Sequence, residues 1–309
     1  MNKSSEIVTE VKKAVIGKDN VIAKTYLAIL AGGHILLEDI PGVGKTTLAL
    51  AFSKALELDY NRMQFTPDVL PSDIVGFSVY NKETHKLEYR PGSVICNLFL
   101  ADELNRATSR TQSALLEAME ENQVTVDGVS HALPNPFIVI ATQNPVGAAG
   151  TQLLPESQLD RFMIKLSLGY PDEKSEIEIL GTRQAGFSLN NIKRIVTNSE
   201  LNHMKAEVMS VHVADAIYAY IVKLIAATRK NEFILRGASP RASLSLMAIS
   251  KARAYAFSRD YVVPEDVNAL FVDCVAHRIL LSPNGEDRGE GVVAVLNKIL
   301  KSIPQPQIK

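Results

Sequence analysis

Residues 39–46 read Asp39-Ile40-Pro41-Gly42-Val43-Gly44-Lys45-Thr46, a glycine-rich turn between a short apolar run and an amphipathic segment. Glycine lets the backbone bend its N–H groups toward an anion, and a helix that begins at Lys45 points its positive dipole end at the same place. Lys45 would then reach the β- and γ-phosphates of a nucleotide, and the Thr46 hydroxyl would bind Mg²⁺. The stretch predicts a phosphate-binding loop; a structural turn before a helix is the alternative. Asp39 departs from the G-x-x-x-x-G-K-S/T pattern, which has glycine at that position.

The first half of the chain alternates short apolar runs with helical patterns, as in a parallel sheet with crossover helices. Strands are expected at residues 34–38, 61–65, 98–102, 137–142 and 162–166, with helices at 45–56 and 108–121. Beyond residue 170 no convincing strand remains, and helices are expected at 214–229, 240–259, 264–279 and 291–303. We predict a doubly wound α/β domain over residues 1–185, a linker at 184–191 and a small all-helical domain over 192–309.

Two acidic residues and one amide follow predicted strands. Asp102 and Glu103 end the strand at 98–102, and open α/β sheets bind ligands at the carboxyl ends of their strands. Since neighbouring strand residues face opposite ways, the two carboxylates are expected to have separate tasks. Asp102 would hold Mg²⁺, whereas Glu103 would orient and deprotonate an attacking water. Asn144 follows the next strand and would donate to a γ-phosphate oxygen; a solvated acidic turn and an Asn-Pro turn are the structural alternatives.

Together with Gln158-Leu159-Asp160-Arg161-Phe162 and Gly237-Ala238-Ser239-Pro240-Arg241-Ala242, these motifs resemble the AAA+ ATPases of the MoxR type over about residues 15–279. The resemblance implies an ATP hydrolase with ATP and Mg²⁺ as cofactors, and a helical lid that follows the ATPase domain in the sequence. It places nucleotide contacts at Pro41, Gly42, Val43, Gly44, Lys45, Thr46, Thr47, Val15, Ile16 and Gly17, the last three beside adenine. It makes Thr46 and Asp102 the Mg²⁺ ligands, Glu103 the catalytic base and Asn144 the first sensor.

Two arginines carry the remaining implied roles. Arg161 matches the arginine finger that ring ATPases insert into a neighbouring subunit's site, and Arg241 matches the second sensor. A guanidinium aimed at the transferred phosphoryl group stabilises its charge, so a finger supplied in trans makes hydrolysis depend on assembly. The alternative for Arg161 is a surface ion pair with Asp160 or Glu156. Arg241 opens a helix, where the dipole favours anions, and this hints at a bound phosphate.

Two segments resemble inserts found in this family. Residues 123–131 alternate apolar and polar side chains around Asp127-Gly128, the strongest short-range hairpin signal. This hairpin is a candidate for contacting substrate or for moving on hydrolysis. Residues 76–92 resemble the insert in the second helix of the domain. For both segments a plain surface hairpin is the alternative.

Composition excludes several classes of protein. The 309 residues carry 33 Lys and Arg against 34 Asp and Glu, a net charge of −1, which argues against a basic coat for nucleic acid. Hydrophobic residues make up 46% of the chain, which is typical of a globular protein. Cys96 and Cys274 are distant and form no disulfide framework. The histidines show no metal-binding spacing, and His277 is expected on the lid surface. With no secretory signal and no membrane span, we expect a cytoplasmic protein.

Three functions remain open from the sequence. The first is an ATP hydrolase whose lid rotates against the large domain to remodel a bound protein. The second is a nucleotide-gated scaffold that hydrolyses ATP slowly, and the third is a clamp loader or nucleic-acid motor, which the charge disfavours. By the family resemblance we expect a homo-oligomer, usually a hexameric ring, with a von Willebrand factor A domain protein as partner, a protein client and no nucleic acid.

Overall fold

The structure is a computed structural model that describes residues 3–144, 154–184, 188–283 and 291–307. Its helices are α1 (Ser4–Lys12), α2 (Asp19–Leu30), α3 (Lys45–Ala55), α4 (Pro71–Val75), α5 (Ser109–Glu121), α6 (Glu156–Leu159), α7 (Glu173–Gln184), α8 (Asn198–Ser210), α9 (Asp215–Thr228), α10 (Pro240–Ala256), α11 (Pro264–Val275) and α12 (Val292–Ser302). Its strands are β1 (Ile35–Glu38), β2 (Tyr60–Gln64), β3 (Gly76–Asn81), β4 (Lys86–Pro91), β5 (Leu98–Asp102), β6 (Gln123–Val126), β7 (Val129–Ala132), β8 (Ile138–Gln143), β9 (Ile164–Leu166), β10 (Ile234–Arg236) and β11 (Leu280–Leu281).

The centre of the molecule is a five-stranded sheet in the order β2-β5-β8-β1-β9, and all of its pairs are parallel. The side chains of β1 alternate between its two faces: Ile35 and Leu37 enter one apolar cluster, and Leu36 enters the other. Every residue of β5 and β8 is buried, which explains why these strands read as continuous apolar runs. The predicted α/β class is confirmed, and each predicted strand of the sheet lies within two residues of the observed one.

One apolar cluster runs from the sheet into the C-terminal helices. It contains Ile35 and Leu37 of β1, Leu246 of α10 and Leu270 of α11. The other cluster covers the opposite face of the sheet under α5 and includes Leu115. The C-terminal helical layer is therefore packed onto the α/β layer through a shared hydrophobic core.

The helical part differs from the sequence prediction in two details. A short antiparallel sheet, β10 with β11, lies among the helices, so the expectation that no strand follows residue 170 was wrong. Helix α8 was not anticipated, although Thr197 and Glu200 form a capping box at its start, a recognised signal for a helix N-terminus. In the predicted linker, residues 189–191 form a 3₁₀ turn, and residues 185–187 lie outside the described residues. Among the described residues, no helix combines the length and apolar character that crossing a bilayer requires.

Both predicted hairpins are present. β6 pairs with β7 around Asp127 and Gly128, whose φ angles of 50° and 78° are those a tight two-residue turn requires. β3 pairs with β4 in the second hairpin. The rings of Tyr89 and His131 stack with centroids 3.7 Å apart, so the two hairpins contact each other.

Candidate functional site

The glycine-rich loop lies between β1 and α3, and its two glycines have left-handed backbone angles. Gly42 has φ 86° and Gly44 has φ 99°, a region that glycine enters without steric cost. A Cβ atom added to either would meet no heavy atom of the described residues within 4 Å, so this part of the protein leaves the space over the loop open. Together with the N-terminus of α3, this cradle fits a phosphate chain.

Lys45 is buried and reaches back over the loop. Its Nζ donates to the carbonyl oxygen of Asp39 at 2.8 Å and to that of Ile40 at 3.3 Å. Burial lowers the pKa of Lys45, while the neighbouring carboxylates of Asp39, Asp102 and Glu103 act in the opposite direction. The ammonium group of Lys45 is therefore held beside the loop by two carbonyl oxygens, and phosphate oxygens could replace them as acceptors.

Asp39 occupies the position where the loop pattern has glycine, and its carboxylate has a structural task. It accepts hydrogen bonds from Ser167 Oγ at 2.7 Å, Leu168 N at 2.6 Å and Gly169 N at 2.9 Å. These donors follow β9, so Asp39 ties the phosphate loop to the end of the neighbouring strand. The departure from the pattern leaves the cradle open, because the side chain points away from it toward these donors.

Asp102 ends β5 beside the loop, and both of its carboxylate oxygens are engaged. Thr142 Oγ1 donates to Oδ1 at 2.7 Å, and Arg62 donates to Oδ2 from Nη2 at 2.6 Å and from Nε at 3.2 Å. Thr46, Arg62, Asp102 and Glu103 line one cleft of about 380 Å³. A carboxylate and a hydroxyl are the hard oxygen ligands that suit Mg²⁺, and the half-exposed Arg62 is free to yield its place. The donor set fits a magnesium ion.

Glu103 is separated from Asp102 by a turn of the backbone. Its φ is 56°, a left-handed conformation that non-glycine residues adopt at a cost and that is concentrated at functional sites. The expectation that strand alternation separates the two carboxylates was therefore wrong in its reason, because β5 ends at Asp102. Arg106 Nη1 donates to Glu103 Oε2 at 2.7 Å and is the largest cause of a lowered Glu103 pKa.

Asn144 follows β8 and joins the same group. Its Nδ2 donates to Glu103 Oε1 at 3.1 Å, while Asn105 Nδ2 donates to the Asn144 carbonyl oxygen at 3.3 Å. Among the described residues, the buried side-chain Oδ1 of Asn144 has no hydrogen-bond partner. This oxygen is therefore available to accept a hydrogen bond from a bound group.

A second cleft of about 200 Å³ adjoins the loop and is lined by Val15 and Ile16. It shares Gly42, Gly44 and Thr47 with the carboxylate cleft, so an apolar compartment continues into a charged one. Gly17 has φ 74°, and a Cβ there would lie 2.1 Å from Ser175 Oγ. Gly17 thus permits close packing against α7 and is placed behind the cleft rather than in its lining.

The two predicted arginines lie together, away from the loop. Arg161 pairs with Glu120 at 3.0 Å, and Arg241 pairs with the same carboxylate. Both line a cleft with His34, which lies at the amino end of β1. The phosphate loop follows the carboxyl end of this four-residue strand. At the rise of a strand, the two ends are about 13 Å apart. Neither arginine therefore approaches the phosphate loop of its own chain. The alternative partners of Arg161 are also otherwise engaged, since Asp160 pairs with Arg278 and Glu156 with Arg236.

Two residues of the site were missed from the sequence. Arg106 lies three residues after Glu103, a spacing that brings side chains together in a helical turn, and this signal was available. Arg62 lies 40 residues from Asp102, and only the register of β2 against β5, which pairs Arg62 with Leu100, brings it there.

Comparisons with known proteins agree with this geometry. Sequence profiles of the ATPase family associated with various cellular activities (AAA) and of the AAA lid domain match residues 34–164 and 226–299. A Bacillus subtilis protein named YeaC is 42% identical over 97% of this chain and 93% of its own length. Chaperone MoxR1 of Mycobacterium tuberculosis is 36% identical over 97% of this chain and 82% of its own length. A candidate ATPase from Cytophaga hutchinsonii has a crystal structure with a TM-score of 0.91 and 39% identity, covering 99% of this chain and 96% of that one.

Proposed function

The chain belongs to the MoxR family of AAA+ ATPases, and from this membership we propose that it couples Mg²⁺-dependent ATP hydrolysis to chaperone-like remodelling or maturation of partner proteins. One observation carries the proposal: Lys45, Thr46, Asp102, Glu103 and Asn144 converge at the carboxyl edge of the sheet, around an open glycine cradle. Phosphoryl transfer depends mainly on such positioning and on charge.

The phosphates occupy the loop, where the backbone N–H groups and Lys45 bind them. Adenine occupies the apolar cleft beside Val15 and Ile16. Thr46 and Asp102 would hold Mg²⁺, which supplies charge neutralisation at the phosphates when bound. Glu103 accepts a proton from the attacking water, and Asn144 fixes that water or a γ-phosphate oxygen once its amide is released from Glu103.

Arg161 and Arg241 act on the nucleotide held by a neighbouring copy of the chain. Their position supports this, because both guanidiniums pair with Glu120 in a cleft beside His34, at the amino ends of the strands and away from their own phosphate loop. Heterologous contacts of this kind close into a ring, and we propose a hexamer. The working units are an ATPase core over residues 1–185 and a lid over residues 192–309. A partner with a von Willebrand factor A domain and a protein client complete the proposal, with no nucleic acid.

The substitution Glu103→Gln tests the assignment of the base. It keeps the size and one acceptor oxygen but removes the proton acceptor, so ATP affinity is expected to stay within a few-fold while turnover falls about 10²-fold or more. The measurements are equilibrium binding of ATP and phosphate release. Glu117→Gln, on the exposed side of α5, is the matched control and should turn over normally. Normal turnover in Glu103→Gln contradicts the role of Glu103.

A nucleotide-gated scaffold with slow hydrolysis is the second candidate, and one observation favours it. Both carboxylate oxygens of Glu103 are engaged, by Arg106 and by Asn144, so the base is restrained in the free chain. Turnover measured with and without a von Willebrand factor A domain partner separates the two readings. A partner that raises turnover supports the remodelling enzyme, whereas slow turnover in both conditions with ATP-dependent partner binding supports the scaffold.

A further inference from the structure

The turn that carries Arg161 is held on both sides by the lid. Arg278 Nη2 donates to the carbonyl oxygen of Phe162 at 2.6 Å and to that of Asp160 at 3.2 Å, the residues on either side of Arg161. His277 Nε2 adds a contact to the Phe162 carbonyl at 2.9 Å. The carboxylate of Asp160 accepts from Ser239 Oγ at 2.8 Å and lies 3.3 Å from Arg278 Nε. The backbone of the turn is thus fixed by lid side chains.

Both lid residues are buried, which is unusual for such polar groups. His277 was expected on the lid surface, and that expectation was wrong: it is 5% exposed, and the Arg278 side chain is 1% exposed. Burial lowers the pKa of His277 to about 3, so it is neutral and donates to the carbonyl. Within the described part of the chain, Arg278 Nη1 has no hydrogen-bond partner. Burying a guanidinium that is only partly paired does not favour folding over an apolar side chain of similar size.

Because the buried guanidinium of Arg278 does not favour folding, we expect its role to lie in function. A single nitrogen of Arg278, Nη2, donates to the carbonyl oxygens of both residues 160 and 162 and so bridges the two ends of the turn. A third contact, to Ser245 Oγ at 3.0 Å, fixes Arg278 itself to α10. Arg241 begins the same helix. Arg278 therefore links the turn that carries Arg161 to the helix that Arg241 begins, in addition to the hydrogen bond from Ser239 to Asp160.

We propose that Arg278, with His277, is a positioning residue for the trans-acting Arg161. The lid then determines the position of the Arg161 guanidinium in the neighbouring subunit's site. The inference rests on the proposed function, since it needs Arg161 to act on nucleotide in another copy. A misplacement of about 1 Å in a charge-stabilising group costs on the order of 10²-fold in rate. An Arg278 variant therefore lowers turnover at the neighbouring subunit's site, where its Arg161 is misplaced, while its own nucleotide pocket stays intact.

Mixed assemblies test this directly. Arg278→Met and Arg161→Ala are each measured alone and then mixed with Glu103→Gln, whose finger is normal but whose base is missing. In a random mixture about a quarter of the interfaces join an intact base to an intact finger. Arg278→Met alone is expected to bind ATP normally and to lose about 10²-fold in turnover. Mixing with Glu103→Gln should restore turnover to within about tenfold of the wild-type protein. Arg278→Lys, which keeps the charge, should show a smaller loss that mixing also restores.

The outcomes separate the two levels of the proposal. If Arg161→Ala is restored by mixing but the Arg278 variants are not, their defect lies in their own pocket and the positioning role is wrong. Unchanged turnover in Arg278→Met and Arg278→Lys also overturns it. If Arg161→Ala itself is not restored, the trans finger of the proposed function fails instead. Should Arg278→Met not assemble, Arg278→Lys decides by the same criteria. Arg253→Met is the matched control, because Arg253 pairs with Asp266 within the lid and Arg259 still holds that carboxylate.

Discussion

Single residues at the edge of the sheet show how one side chain can connect two parts of the site. Asp39 binds the segment that follows β9 through three donors, so its carboxylate fixes a loop that glycines alone would leave flexible. Thr142 of β8 likewise connects two parts of the site. Its hydroxyl donates to Asp102 and accepts from the Glu103 amide at 2.8 Å. These contacts hold the proposed catalytic groups in fixed positions, and preorganisation of this kind lowers a reaction barrier.

His34 gives a prediction at the same scale. Its Nδ1 accepts from Val139 N at 3.0 Å, and its Nε2 donates to the Met119 carbonyl at 3.1 Å. Both ring nitrogens are thus used by the neutral form. Burial lowers the pKa of His34 from 6.5 to about 4, and Lys205 adds to the effect. In the unfolded chain the ring protonates near its ordinary pKa, so acid favours the unfolded state.

The contribution of His34 to stability is complete above about pH 6.5 and is lost as the pH falls toward the folded pKa of about 4. At pH 5 the loss is about 2 kcal/mol. We expect urea unfolding at pH 7.5 and pH 5.0 to show this extra loss in the wild-type protein and not in His34→Gln, which keeps a donor and an acceptor but does not titrate. An equal loss in both proteins contradicts the prediction.

At the scale of elements, the hairpins β3-β4 and β6-β7 form a unit that the sequence did not predict. Each was identified separately from its own pattern, but the stacked rings of Tyr89 and His131 join them. The Tyr89 hydroxyl also donates to the Val75 carbonyl at 2.6 Å, so the pair is anchored beside α4. If either hairpin moves during hydrolysis, we expect the other to move with it.

The substitution His131→Ala tests this coupling. An aromatic pair is worth about 0.5–1.5 kcal/mol, so amide hydrogen exchange in β6-β7 and in β3-β4 is expected to become several-fold faster, up to about tenfold. The measurement is exchange followed by mass spectrometry. Tyr89→Phe keeps the ring and removes only the hydroxyl, and it should leave β6-β7 unchanged. A change limited to β6-β7 in His131→Ala would mean that the hairpins open independently.

At the scale of the whole molecule, the glycine-rich loop lies at the carboxyl ends of the sheet strands, and the pair Arg161 and Arg241 lies at their amino ends. The shared core of β1, α10 and α11 packs the lid against the α/β layer, so the lid and the turn that carries Arg161 are expected to move as one body. A rotation of the lid would expose buried apolar surface at about 25 cal/mol per Å². In the proposed ring, nucleotide state in one copy is therefore expected to be transmitted through the contact with the next copy.

Assembly-dependent hydrolysis is the prediction that belongs to this scale. Specific turnover of the wild-type protein is expected to rise with protein concentration, because each site needs a neighbour's guanidinium. Arg161→Ala should bind ATP normally, lose about 10³- to 10⁵-fold in turnover, and gain nothing from higher concentration. Phosphate release over a dilution series, with sedimentation to follow assembly, provides the test. Hydrolysis by dilute monomer as fast as by assembled protein contradicts a trans role.

The sequence alone determined the strands of the central sheet, most helices, the phosphate loop and the carboxylates, because period, glycine placement and strand-end position are local properties of the chain. The pairing of Arg62 with Asp102, of Arg161 with Glu120 and of Arg278 with the turn that carries Arg161 required the tertiary structure. These contacts join segments 40 or more residues apart, and nothing in the local pattern specifies which buried cation meets which carbonyl or carboxylate. Register between parallel strands and packing of the lid decide that, since both depend on the whole core rather than on any one segment.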